Sequence, residues 1–114
     1  MPSLNKVIMM GNLTRDPELK FTQGGVAVCD MGIAVSDKYK DKSGETKEDV
    51  CFINIVAFGK TGESCGKHLK KGSAIMVEGK IKFEQWEKDG ERRSAHKIKA
   101  ESVQFLSFNK KEEE

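Results

Sequence analysis

Val50-Cys51-Phe52-Ile53-Asn54-Ile55-Val56-Ala57-Phe58-Gly59-Lys60 is a strand-prone run that stops at a Gly-Lys step. A period of two divides it cleanly. Cys51, Ile53, Ile55 and Ala57 fall on one face; Phe52, Asn54, Val56 and Phe58 fall on the other, and Lys60 extends the second face. A strand of a small barrel has one inner face. The face with Ile53 and Ile55 is the more continuous aliphatic one, so Cys51 is expected inside and Phe52 and Phe58 outside. Beyond Lys60 the period of two is lost. Thr61 to Leu69 is the one helix candidate, with Thr61 as its cap and Gly72 beyond the basic end Lys70-Lys71. Gly62 and Gly66 within it keep it short.

Strands lie on both sides of this strand–helix step. Upstream, Lys6 to Gly11 is a short apolar run, and Ala27 to Ser36 alternates, with Ala27, Cys29, Met31, Ile33 and Val35 on one face. Downstream, Ser73 to Gln85 places Ile75, Val77, Ile81 and Phe83 together, opposite Met76, Glu78, Lys80, Lys82, Glu84 and Trp86. A last β-prone segment runs from Ser94 to Leu106 and is broken at Ala100 and Glu101. Turn chemistry separates these runs: Arg15-Asp16-Pro17-Glu18, Gln23-Gly24-Gly25 within a long bent strand region, and Lys88-Asp89-Gly90-Glu91 as a tight hairpin. Asp37 to Asp49 is polar throughout and reads as a long mobile hairpin around Ser43-Gly44. The order is β-β-β-α-β-β, which predicts an all-β, five-stranded Greek-key barrel of the OB (oligonucleotide-binding) type, with a short helix between strands three and four. Residues 1–108 form one such domain, and 109–114 a short charged tail expected to be disordered.

Composition is compatible with this and excludes much else. The chain has 114 residues, 37% hydrophobic and 33% charged, with two prolines, which excludes collagen-like, fully disordered and disulfide-scaffold classes. It has no apolar run long enough for a membrane span. No secretory or mitochondrial leader is read at its start, so a cytoplasmic protein is expected. Twenty basic side chains against 18 acidic ones give a net charge of +2, so a polyanion partner requires the positive charge to be sorted onto one face.

The aromatics carry the functional signal. Phe52 and Phe58 are expected outside by parity, and Trp86 shares parity with Lys80 and Lys82. Tyr39 stands between Lys38 and Lys40 with no apolar neighbour. Exposed rings beside lysines suit a flexible single strand of nucleic acid, whose bases offer π faces and whose backbone is charged. The bland alternatives are an inverted strand that puts the rings in the core, or a subunit interface. Lys6, Lys42, Lys60, Lys71, Lys80 and Lys82 are candidate phosphate contacts, with Lys20 a further one. Cys65-Gly66-Lys67-His68 has ligand-like spacing, but zinc wants four ligands, and Cys29 and Cys51 point coreward. Neither a metal site nor a Cys65/His68 nucleophile with its base is expected, and no cofactor motif is present.

Asn5-Lys6-Val7-Ile8-Met9-Met10-Gly11-Asn12-Leu13-Thr14-Arg15-Asp16-Pro17-Glu18 resembles the opening of bacterial-type single-stranded DNA-binding proteins. The resemblance continues through Ile33-Ala34-Val35-Ser36, Val56-Ala57-Phe58-Gly59-Lys60, Leu69-Lys70-Lys71-Gly72-Ser73 and Val77-Glu78-Gly79-Lys80, and ends at Trp86. It implies a non-enzymatic protein that protects single-stranded DNA in replication, recombination and repair, as a nucleoid-associated homotetramer with no cofactor. It places the family's stacking positions on Tyr39, Phe52, Phe58 and Trp86, and its basic positions on Lys6, Lys42, Lys60, Lys71 and Lys82. First strands of two subunits pair in that family. Departures are a smaller ring at Tyr39 and Phe52, and Asn54 where a basic residue is common. The chain ends Lys110-Lys111-Glu112-Glu113-Glu114 without the acidic, apolar-ended tip that recruits replication and repair enzymes in the family. That ending implies a shortened chain or a small variant, and recruitment by the usual route is not implied. The rival expectation is a primosome-type OB subunit that uses the same rings on a protein partner.

Overall fold

In the computed structural model, which describes residues 1–106, the elements run β1 (Val7–Leu13), β2 (Glu18–Phe21), β3 (Ala27–Lys40), β4 (Thr46–Phe58), α1 (Gly59–His68), β5 (Ala74–Lys88) and β6 (Glu91–Phe105). The expected tail lies outside the described residues. The sheet order is β1-β5-β6-β4-β3-β2, and β1 also pairs with β3. That extra pairing closes β1, β3, β4, β6 and β5 into a five-stranded barrel of the expected OB class. The bent region at Gln23-Gly24-Gly25 is in fact a hairpin: Thr22 N–H donates to the Val26 carbonyl, and short β2 pairs with β3 alone. Among the described residues there are therefore six strands, one of them outside the barrel.

The core is made by the faces that alternation selects. Met31 and Ile33 of β3, Ile55 of β4, Ile75 and Val77 of β5 and Ile98 of β6 are all below 2% exposed. Burying each such side chain contributes about 1.5–3 kcal/mol. Helix α1 covers one end of the barrel with Cys65, against Cys29 and Leu69 in the same cluster. It begins earlier than expected. Phe58 is its N-cap with extended backbone and no side-chain cap bond, so Thr61 is inside the helix rather than capping it.

Two antiparallel ribbons leave the barrel. One is the far halves of β3 and β4, paired without interruption to Lys40↔Thr46. The hairpin expected at 37–49 is present, and its arms are ladder-paired as far as Lys40 and Thr46. Its turn is built on one carboxylate: Asp41 Oδ1 accepts from Ser43 Oγ at 2.6 Å, Ser43 N–H at 2.9 Å and Glu45 N–H at 3.0 Å. The other ribbon is the far halves of β5 and β6. Its turn has Asp89 at φ 54° and Gly90 at φ 79°, the backbone of a two-residue hairpin loop.

The ribbons explain where parity misleads. Cys51 and Phe83 keep the core-side parity, but at their positions the barrel has ended. Cys51 is exposed rather than buried, and Phe83 is 52% exposed, its ring set against His96 at 4.9 Å. Val56 errs the other way. It has outward parity and is 3% exposed, because it sits between Asp30 of β3 and Lys99 of β6 on a fully paired central strand.

Candidate nucleic-acid interface

Pairing register sorts the outer side of the barrel into one surface. On β4, Phe52, Asn54, Val56 and Phe58 face outward. The parallel partner β6 sets Lys97 opposite Asn54 and Lys99 opposite Val56. Antiparallel β5 sets Lys80 opposite Lys99, Lys82 opposite Lys97, and Trp86 opposite Arg93. Phe52, Phe58 and Trp86 are 72%, 42% and 45% exposed, and share this face with Lys80 and Lys82.

The electrostatics of this face are lopsided. Like charges directly opposite one another destabilise a sheet, yet Lys80/Lys99 and Lys82/Lys97 are two such pairs side by side. Acidic neighbours relieve them in part. Glu84 holds Lys97 at 2.8 Å, and Glu101 stands 3.9 Å from Lys80. Lys99 reaches the Phe58 ring, its Nζ 5.5 Å from the centroid. A ring capped by an ammonium on a lysine-rich sheet can take a base on its π face and a phosphate beside it.

Other expected positions lie apart. Tyr39 is 46% exposed, but it pairs with Lys47 and has the opposite parity to Phe52, so it is on the other face of the β3–β4 ribbon. Lys42 is in that ribbon's tip, between β3 and β4. Lys60 is in the first turn of α1. Lys71 follows α1 in a turn fixed by its backbone N–H donating to Asp16 Oδ1 at 2.8 Å. Lys6 precedes β1 and pairs with Glu78 at 3.3 Å.

The Cys65–His68 segment is not built for covalent chemistry. Cys65 is fully buried, and burial, with Cys29 beside it, pushes its thiol up to about 12. Its thiolate is scarce at neutral pH. His68 lies on the helix end with its ring 6.4 Å from that of Phe105. Among the described residues no group of three or more His, Cys, Asp or Glu is placed to hold a metal. Among them, too, no helix is long and apolar enough to cross a membrane.

A family model described as the single-strand binding protein family matches residues 4–106. The chain belongs to that family. Single-stranded DNA-binding proteins of Wolinella succinogenes and Helicobacter hepaticus are each 44% identical to it over 103 residues, covering 90% of this chain but 64% and 61% of theirs. The chain thus spans less than two thirds of the length of these two relatives. Single-stranded DNA-binding protein 2 of Chlorobaculum tepidum is 41% identical over 113 residues, 97% of this chain and 76% of that one. Among solved structures, the single-stranded DNA binding protein of Thermus aquaticus superposes with a TM-score of 0.79 at 36% identity, over 94% of this chain and 52% of that one. The Plasmodium falciparum SSB complex with ssDNA superposes with a TM-score of 0.86 at 23% identity, over 94% and 98%, and bears on the fold alone.

For this member of the single-strand binding protein family, sequence reading missed Arg15, Lys97 and Lys99 on the candidate face. Lys97-Ile98-Lys99 shows the same charge–apolar–charge alternation as Lys80-Ile81-Lys82, so that signal was available. Arg15 had none. Its contact, Nη1 to Asn54 Oδ1 at 3.4 Å, spans 39 residues.

Proposed function

We propose that this chain binds and protects single-stranded DNA, largely independently of sequence, as a non-enzymatic protein of replication, recombination and repair. One observation carries the reading: the outer face of β4, β6 and β5 combines exposed Phe52, Phe58 and Trp86 with facing lysine pairs that only a polyanion would fully neutralise. The names of the relatives support the same ligand. Bases stack on the three rings, and Lys80, Lys82 and Lys99 hold the backbone. Tyr39, Lys6, Lys42, Lys60 and Lys71 extend the path as the strand wraps onto neighbouring faces.

Assembly belongs to this reading. β1 pairs with β5 from Val7 to Asn12, but with β3 only at Asn12 and Leu13, so among the described residues its other edge has no strand partner over residues 7–11. Ile8 and Met10 are 56% and 57% exposed along it. An apolar free edge is a template for another strand. Two copies join there, and two such pairs make a tetramer. The protein acts in the cytoplasm, on the nucleoid.

Titration with oligothymidine tests the ligand. Trp86 is the only tryptophan, so its emission reports one position on the face. Strong quenching is expected, with a log–log salt slope of about −0.7 per phosphate neutralised and weaker binding to duplex of equal length. Salt-independent affinity overturns the reading. Light scattering that gives a monomer at micromolar concentration overturns the assembly.

A further inference from the structure

Arg15 leaves the turn between β1 and β2 and lies across β3 to reach β4, where its Nη1 donates to Asn54 Oδ1 at 3.4 Å. The crossing depends on Gly32. A Cβ there would collide with Arg15 Nη1 and stand 2.8 Å from Thr14 Oγ1. With no side chain at 32, the guanidinium rests against the sheet. Arg15 and Asn54 line a cleft of ≈ 230 Å³ together with Thr14, Phe52 and His96. Phe52, the most exposed of the candidate platforms at 72%, forms one wall.

The chemistry of this cleft leans toward donors. A guanidinium has donors and no acceptor, so Asn54 turns its oxygen toward Arg15 and keeps its NH2 for another partner. The pair presents several N–H groups against the one lone pair left on the Asn54 oxygen, with the Thr14 hydroxyl beside them. Guanine carries two adjacent acceptors, N7 and O6, which match a planar donor pair. Adenine carries an acceptor and a donor at the corresponding atoms. The two purines stack alike, so the difference lies in the edge.

We propose that this cleft is a base-reading subsite in which a nucleobase stacked on Phe52 is bonded at its edge by Arg15 and Asn54, with guanine preferred to adenine. The proposal rests on the single-stranded DNA reading and adds a one-base preference to otherwise sequence-tolerant binding. Cytosine, whose N3 and O2 are also adjacent acceptors, is the pyrimidine that fits.

Competition binding with alternating thymidine–deoxyguanosine and thymidine–deoxyadenosine oligomers of equal length tests it. The guanine strand is expected to bind about fivefold tighter. Replacing its guanines by 7-deazaguanine, which lacks the N7 acceptor, removes most of that ratio. Arg15→Lys keeps the charge and loses the planar fork, so the ratio falls to near one while the salt slope is kept. Gly32→Ala leaves Arg15 in the chain but displaces its flexible end, and has the same effect on the ratio in a folded protein. A ratio near one in the unaltered protein, or a ratio unchanged in Arg15→Lys, overturns the proposal. So does an Arg15→Met variant that weakens both strands by one common factor, since that is the signature of a phosphate contact. If neither strand binds at all, the single-stranded DNA reading itself has failed.

Discussion

Phe52 and Ile55 are close on one strand and call for opposite outcomes. Phe52 is 72% exposed, so Phe52→Ala removes a platform and little packing. Affinity for oligothymidine should fall by roughly 1–3 kcal/mol, with the urea midpoint almost unchanged. Ile55 is 1% exposed, so Ile55→Ala leaves a cavity and should cost about 2–5 kcal/mol in the same urea melt. A Phe52→Ala protein that unfolds while Ile55→Ala melts normally would refute the assignment of faces. Ile53 is only partly buried, so its truncation costs less. These faces were legible in the sequence because strand side chains alternate without exception over an unbroken ladder. Alternation gives direction, however, and says nothing of how far the barrel extends. Cys51 and Phe83 point inward where there is no longer an inside.

At the scale of elements, both hairpins were legible in the sequence, but not the length of their paired arms. The stretch 37–49 shows no alternation because it is polar, and it is polar because a two-stranded ribbon outside a barrel has water on both faces. Its order comes from the Asp41 turn. The Ser43 hydroxyl, then the backbone N–H groups of the turn, hold the Asp41 carboxyl below its ordinary value of 3.8. A depressed value means that the carboxylate stabilises the turn above its unfolded-state pKa, and that this stabilisation is lost as pH falls through the folded-state value. Protection of the Ser43 and Glu45 amides, measured against their intrinsic exchange rates, should fall on acidification below about pH 4, and Asp41→Ala should show the lost protection already at pH 7. In the second ribbon the Glu84–Lys97 pair at 2.8 Å holds back a lysine from the face. Glu84→Gln should raise DNA affinity and steepen the salt slope by up to about 0.7, at a stability cost of about 0.2–1 kcal/mol. An unchanged slope would show that Lys97 touches no phosphate.

The whole molecule is a small barrel with long appendages. Its radius of gyration is 16.5 Å, where a compact chain of this size would have about 13 Å. The barrel and its helix are legible from element order alone. The joining of Arg15 to Asn54, and the facing of lysines across β5 and β6, needed the register, which no single strand announces. That register turns on one residue. Glu78 pairs with Ser102 and Gly79 with Ala100, so Glu101 is an extra residue in β6, at the break legible in the sequence. Gly79 opposite it has no room for a side chain, since a Cβ would meet the Lys99 carbonyl oxygen. The extra residue lets Ile98 and Ala100 on one side of it, and Val103 and Phe105 on the other, all turn inward despite opposite parity. A strand therefore has something like a reading frame, and Glu101 shifts it. Substitution at this position is cheap: Glu101→Ala keeps the count and should melt like the parent. Deletion is another matter, because every residue from 91 to 100 would exchange inside for outside relative to 102–105. Among descendants of this sequence, position 101 is free to change its letter and not free to disappear.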